Sequence, residues 1–271
     1  MSNKRIEIIS KSNSFFGLKY NKFNKSDLVL YIKYIINEEK KSIIYGYSLV
    51  LLPKLKQYPD IYKLSESFDF HVVDGHGLYT VMKLFNVRNI ADYSLPDIVN
   101  IALEIAEDNK FSVLLLGATK EINFRACENI KIKYPNIRVK NGIDGYFNRD
   151  YTDEILERIH NDNPDVLLIG ITSPEKENLA ALIKKRVNCK IIIPCGGVID
   201  ILGGKSKREP IIVKKLNLTW LYRFLQEPCR LFNSILINGF KVIILLIPVM
   251  FIYYFVLRNK SFSIPKFYGL K

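Results

Sequence analysis

In the run VVDGHGL (72–78) a carboxylate, Asp74, follows two β-branched apolar residues and precedes a glycine. A carboxylate held at a strand end with little bulk beside it is placed to take a proton from a hydroxyl, which makes Asp74 a candidate general base. The same position suits an N-cap for the segment HGLYTVMKLF, and spacing alone leaves both readings open. His76 carries less weight, because a lone histidine is more often a packing or surface residue. A second carboxylate, Asp200, interrupts an apolar run in GGVIDILGGKSKREP (196–210), and Lys205, Lys207 and Arg208 follow it. Arg223 and Arg230, seven residues apart, fall two turns apart on one face of a helix.

The sequence has no G-x-S-x-G elbow, no P-loop, no G-x-G-x-x-G and no Asp-x-Asp pair. If the substrate carries a diphosphate, cations of the protein must therefore neutralise it. Arginine suits that role through its two-pronged fork, which singles out Arg208, Arg223 and Arg230; pairing in solvent or snorkelling at a membrane is the alternative use of each. Four cysteines without C-x-x-C spacing and three histidines give no metal-ligand pattern, so neither a metal nor a cofactor is expected.

Of the 271 residues 48% are apolar, enough for a full core, and the net charge of +13 favours a phosphorylated ligand, an anionic membrane surface or nucleic acid. The lysines are scattered and no zinc-finger, RRM or basic-helix pattern occurs, which argues against nucleic acid. The cysteine usage and an N-terminal MSNKRIEIIS without an apolar signal point to a reduced, cytoplasmic setting.

These residues need a scaffold. Short runs rich in Val, Ile and Leu, at 42–45, 70–73, 112–116, 137–139, 165–169 and 190–193, alternate with helical periods at 96–109, 120–134 and 174–187. That alternation predicts a doubly wound α/β domain over roughly 1–195, a Rossmann-like parallel sheet covered by helices. Ligands in such sheets bind beyond the strand ends, and here those ends are DGHG, GATK, GITSPEKE and PCGG. Glycines such as Gly117 at these turns are common turn formers singly; four such turns in succession point to a ligand cleft. The tail differs. After an amphipathic stretch at 216–235, residues 242–257 run without a charge between Lys241 and the pair Arg258 and Lys260. Sixteen residues fall short of the roughly 20 a spanning helix needs, and Pro248 interrupts them. A membrane-embedded or re-entrant anchor, a short tilted span and a core helix of an oligomer are the three readings. The expected division is a catalytic domain at 1–210 and a helical, membrane-associating appendage at 211–271.

Several stretches in order resemble one family, the WecG/TagA/CpsF glycosyltransferases (glycosyltransferase family 26). They are VVDGHGL (72–78), VLLLGATKE (113–121), NGIDGYF (141–147), PDVLLIGITSPEKE (164–177), GGVIDILGGKSKREP and LNLTWLYRFLQEPCRL (216–231), so that the resemblance covers roughly 40–231. It implies an inverting, metal-independent transfer of an N-acetylmannosamine-type sugar from a UDP donor to a polyprenyl-diphosphate-linked acceptor, in cell-surface polysaccharide synthesis. The site would be the cytoplasmic membrane face, the protein peripheral or monotopic, and a homo-oligomer is part of the same expectation. Asp74 matches the family's general base, Arg223 and Arg230 the arginines expected to hold the donor diphosphate, Asp200 a pocket carboxylate, and Glu177 and Arg208 further motif positions. Lys205 and Lys207 are expected to face anionic lipid. Gly46 and Ser48 fall near the family's Thr-x-Asn, Lys176 replaces a Gln, Thr219 a Glu and Asn233 an Arg. These changes keep a second reading alongside the enzyme: a membrane-tethered nucleotide-sugar binding protein without catalysis.

Overall fold

The structure, a computed structural model, describes residues 2–148, 150, 152–216, 218–258 and 261–270. Helix α1 (Ser2–Ser10) and a hairpin of β1 (Ser12–Phe15) and β2 (Leu18–Asn21) lead into α2 (Lys25–Asn37), which opens on a capping box between Asn24 and Asp27. Strand β3 (Ser42–Ser48), α3 (Leu52–Gln57), α4 (Pro59–Glu66), β4 (Phe70–Asp74) and α5 (His76–Leu84) form the first α/β passage. There follow α6 (Leu95–Asn109), β5 (Ser112–Gly117), α7 (Lys120–Lys133), β6 (Arg138–Val139), α8 (Thr152–Asp162), β7 (Val166–Gly170), α9 (Glu175–Arg186), β8 (Ile191–Pro194) and α10 (Val198–Leu202). The sheet order is β4-β3-β8-β7-β5-β6, parallel throughout, and its strands read as continuous apolar runs because helices cover both faces. All six predicted strands and the three predicted helices are present within a residue or three of the expected bounds. The hairpin, α1, α3, α4 and α8 carry no comparable signal.

Two apolar layers sandwich the sheet. One holds α3, α4, α5, α8 and α9, the other α1, α2, α6, α7 and α10. From the neighbouring strands β3 and β8 the chain departs into opposite layers, through α3 and α10 respectively. Such a divergence opens a crevice above the strand ends.

The C-terminal segment begins with α11 (Ile211–Lys215) and α12 (Thr219–Gln226), then a helix α13 over Pro228–Val256, and ends with α14 (Ile264–Phe267). The single helical face expected over 216–235 is divided: Glu227 (φ −140°, ψ 63°) breaks the helix because Pro228 disfavours a helical conformation in the residue before it. Helix α13 continues through Pro248, with wider π-type turns at Val242–Leu246 and Ile252–Val256. Its Val242, Leu246 and Met250, at intervals of four, are buried in the same core as α3 and α5, while Phe240, Ile243, Ile244, Leu245 and Phe251 are exposed. Lys260, expected to flank this helix, lies outside the described residues.

Candidate active site

The crevice holds a cleft of about 280 Å³ lined from β3 by Gly46 and Ser48, from β4 by Asp74, from the end of β7 by Gly170, from the loop after it by Ile171 to Ser173, and from the loop after β8 by Gly196 and Gly197. Asp74 is the last residue of β4 and pairs in register with Ser48. It does not cap α5, whose N-cap is Gly75. Instead its Oδ1 accepts a 2.8 Å hydrogen bond from the backbone N–H of Leu95, the first residue of α6. Burial raises the Asp74 pKa above the ordinary carboxylate value; the Leu95 N–H and the charges of Lys176 and Arg223 oppose the rise, and Asp97 adds to it. Gly46 is needed for this closeness, since a Cβ there would stand 2.9 Å from Leu95 Cγ and 3.0 Å from Asp74 Cβ.

Asp200, in the first turn of α10, is buried and faces two cations, Lys205 Nζ at 3.6 Å and Arg230 Nη2 at 3.6 Å. Glu227 completes the cluster: it accepts from Ser206 Oγ at 2.7 Å and from Arg230 Nη2 at 2.6 Å, and these bonds hold its pKa below the usual range against the upward push of burial. Gly197 is the meeting point of the predicted residues. A Cβ on it would lie 3.0 Å from Arg223 Nη2, 3.7 Å from Asp200 Oδ2 and 3.8 Å from Arg230 Nη2. Arg223 and Arg230 thus converge although they sit on different helices; Arg230 lines the cleft and Arg223 does not. Lys205, expected at lipid, lines the cleft instead, because the GGKS turn folds back onto Asp200, whose carbonyl accepts from the Lys205 and Ser206 N–H groups.

The other predicted residues are placed less uniformly. Arg208 does not line the cleft; it pairs with Asp97, the capping-box acid of α6, and so steadies the helix end that holds Asp74. Gly117 is also off the lining and serves close packing, since a Cβ there would lie 2.5 Å from the Gly170 backbone. Glu177 is fully buried and accepts from Tyr45 Oη at 2.8 Å and Ser173 Oγ at 2.9 Å, while its Oε2 has no partner among the described residues. Lys176 lines the cleft with Nζ 3.7 Å from Glu177 Oε1. His76 turns away to Asp92, 2.8 Å from Nδ1. Sequence reasoning missed Lys54, Tyr146, Thr172 and Ser173, all of which line the cleft. The signal available for Lys54 was a cation just past a strand end. Among the described residues no three His, Cys, Asp or Glu side chains gather to hold a metal ion.

A family model described as the glycosyl transferase WecG/TagA/CpsF family matches residues 13–252, most of the chain and the whole of the cleft. The chain belongs to this family. Curated relatives of this WecG/TagA/CpsF member carry the name N-acetylglucosaminyldiphosphoundecaprenol N-acetyl-beta-D-mannosaminyltransferase. One from Bacillus subtilis (strain 168) is 30% identical over 174 residues, 63% of this chain and 66% of the relative. Another, from Staphylococcus aureus (strain MRSA252), is 30% identical over 166 residues, 60% and 63% of the respective chains. A third, from Bacillus spizizenii, is 28% identical over 177 residues. The match spans just under two thirds of the first two relatives' length.

Proposed function

We propose that this protein is an inverting glycosyltransferase that moves an N-acetylmannosamine-type sugar from a UDP donor to a polyprenyl-diphosphate-linked acceptor in cell-surface polysaccharide synthesis. The observation that carries the reading is the presence, in one cleft, of a half-buried carboxylate of raised pKa, Asp74, together with Arg230, beside Gly197, and Lys205. The names of the relatives, whose acceptor is a lipid-linked diphosphate and whose transferred group is N-acetylmannosaminyl, supply the substrate class.

In the reaction, the ionised Asp74 takes the proton of the acceptor hydroxyl as that oxygen bonds to the anomeric carbon, opposite the departing diphosphate. The bond from the anomeric carbon to the diphosphate oxygen breaks, and UDP leaves with the electron pair. Inversion follows from the single displacement. Arg223, Arg230 and Lys205 stabilise the growing charge on the leaving diphosphate, a task that guanidinium forks perform without a metal ion. Asp200 and Glu227 hold Arg230 and Lys205 in place, and Asp200 itself lines the cleft.

The exposed apolar face of α13 supports a position on the membrane surface, one stripe buried in the domain and the other in lipid, at the cytoplasmic face where nucleotide-sugars are present. A homo-oligomer belongs to the same proposal. The test is turnover with UDP-N-acetylmannosamine and a short-chain lipid-diphosphate acceptor, with the product identified by mass spectrometry. Product with an inverted anomeric centre in the presence of EDTA is expected. UDP-sugar binding without UDP release would instead make the protein a non-catalytic nucleotide-sugar binder.

A further inference from the structure

Cations line the cleft at two places, and the donor diphosphate accounts for only one. Arg230 and Lys205 gather near Gly197 and Asp200, where the chain has entered the α10 layer. Lys54 and Lys176 stand on the wall built by the opposite layer, Lys54 on α3 and Lys176 in the first turn of α9. Lys176 lies 3.7 Å from the buried Glu177, and among the described residues no carboxylate is within ion-pair distance of Lys54. Burial, and after it the charge of Lys176, lowers the Lys54 pKa. The carboxylates of Glu177 and Glu175 oppose that shift, so two ammonium groups share a partly dry wall with two acids, and the N–H donors of both lysines are placed for a phosphate oxygen anion between them.

The course of α13 indicates which anion. This helix carries Arg230 in its first turn, and about 15 Å further along, at 1.5 Å per residue, its residues 238–241 pack against α3, the helix of Lys54. Exposed apolar side chains run along the helix on both sides of that contact, Phe232 and Ile237 before it and Ile243, Ile244 and Leu245 after it. A lipid chain lying along them would pass the point where the helix meets α3, which carries Lys54. Asp74 feels both walls, since Lys176 and Arg223 each act on its carboxyl group.

We propose that Lys54 and Lys176 bind the diphosphate of the lipid-linked acceptor, so that the acceptor sugar reaches from the lysine wall to Asp74 while the donor diphosphate occupies the arginine side. The inference rests on the transferase reading for the identity of the acceptor. It also explains a cation at 176 in chemical terms, as a contact to the acceptor and not to the donor sugar.

The experiment is calorimetric titration of the full chain, in detergent and saturated with UDP, with inorganic pyrophosphate. We expect pyrophosphate to bind beside UDP, and the Lys54→Met/Lys176→Gln double variant to bind it at least about tenfold more weakly while holding UDP within about twofold of wild type. Each single variant should show part of the loss, which keeps the test readable if the double variant is unstable. No pyrophosphate binding to the UDP-saturated protein, or equal binding by all variants, overturns the proposal. So does preferential binding of glucuronate, which would give the wall to a carboxylate on the transferred sugar. Failure of wild type to bind UDP would sink the transferase reading instead, and the pyrophosphate comparison would still stand.

Discussion

Leu95 donates its backbone N–H to Asp74 Oδ1 at 2.8 Å, so the first residue of α6 orients the carboxylate that ends β4. The bond fixes one oxygen of a carboxylate that lines the cleft. It also links the candidate base to Asp97 and Arg208 through the capped end of the same helix.

Activity needs Asp74 ionised, and burial raises its pKa. The acid limb of kcat/KM should therefore lie above the pH of about 4 at which an ordinary Asp titrates. Bound UDP, an anion, should move the limb of kcat further upward. Asp74→Asn should lower kcat by about a hundredfold or more, the range of general-base catalysis, with UDP affinity retained; near wild-type turnover would refute the assignment.

The same shift predicts a stability effect of opposite sense. A carboxyl group that binds its proton more tightly when folded favours the fold below the unfolded pKa, and that contribution is lost as pH rises through the folded value. Asp74→Asn should therefore melt higher than wild type at pH 7.5, with the difference vanishing in acid below pH of about 4. Scanning calorimetry at the two pH values checks the sign.

Gly197 adopts φ −71°, which any residue tolerates, so its glycine is required by space and not by backbone conformation. Gly197→Ala should displace Arg223 and weaken UDP binding by about tenfold, the scale of one charged hydrogen bond, with an unchanged melting temperature. Gly117→Ala differs: with φ +142° and a Cβ 2.5 Å from the Gly170 backbone, it should cost several kcal/mol and impair folding.

The two faces of α13 should separate in one experiment. Leu246→Ala removes a buried side chain and should destabilise the fold by about 2–4 kcal/mol, measured by urea denaturation. Ile244→Glu, on the exposed face, should leave stability unchanged and reduce sedimentation with anionic vesicles.

Much of the scaffold is legible in the sequence because a parallel sheet buried on both faces demands unbroken runs such as VLLL and VLLI, which few other structures need. The first hairpin and the short helices α3 and α4 were hidden, since their stability comes from packing on the sheet and not from periodicity of their own. Asp74, Asp200, Arg223, Arg230 and Lys176 were identifiable by type and motif. Lys54 carried no motif, and its place in the cleft follows from the direction in which the chain leaves β3.

By itself, then, the sequence determined the layered α/β architecture, the family and the carboxylates and arginines worth testing, because these depend on residue type and local spacing. Tertiary structure alone decided that Asp74 is held by α6 and does not cap α5, that Arg208 braces that helix, and that Arg223 and Arg230 meet at Gly197 from separate helices. It also decided that Lys205 turns inward and that Lys54 joins Lys176 on the opposite wall. The reason is physical: a charge in a cleft is defined by its distances to other charges, and those distances are set by strand order and helix packing across a hundred or more residues of chain, not by neighbours in sequence.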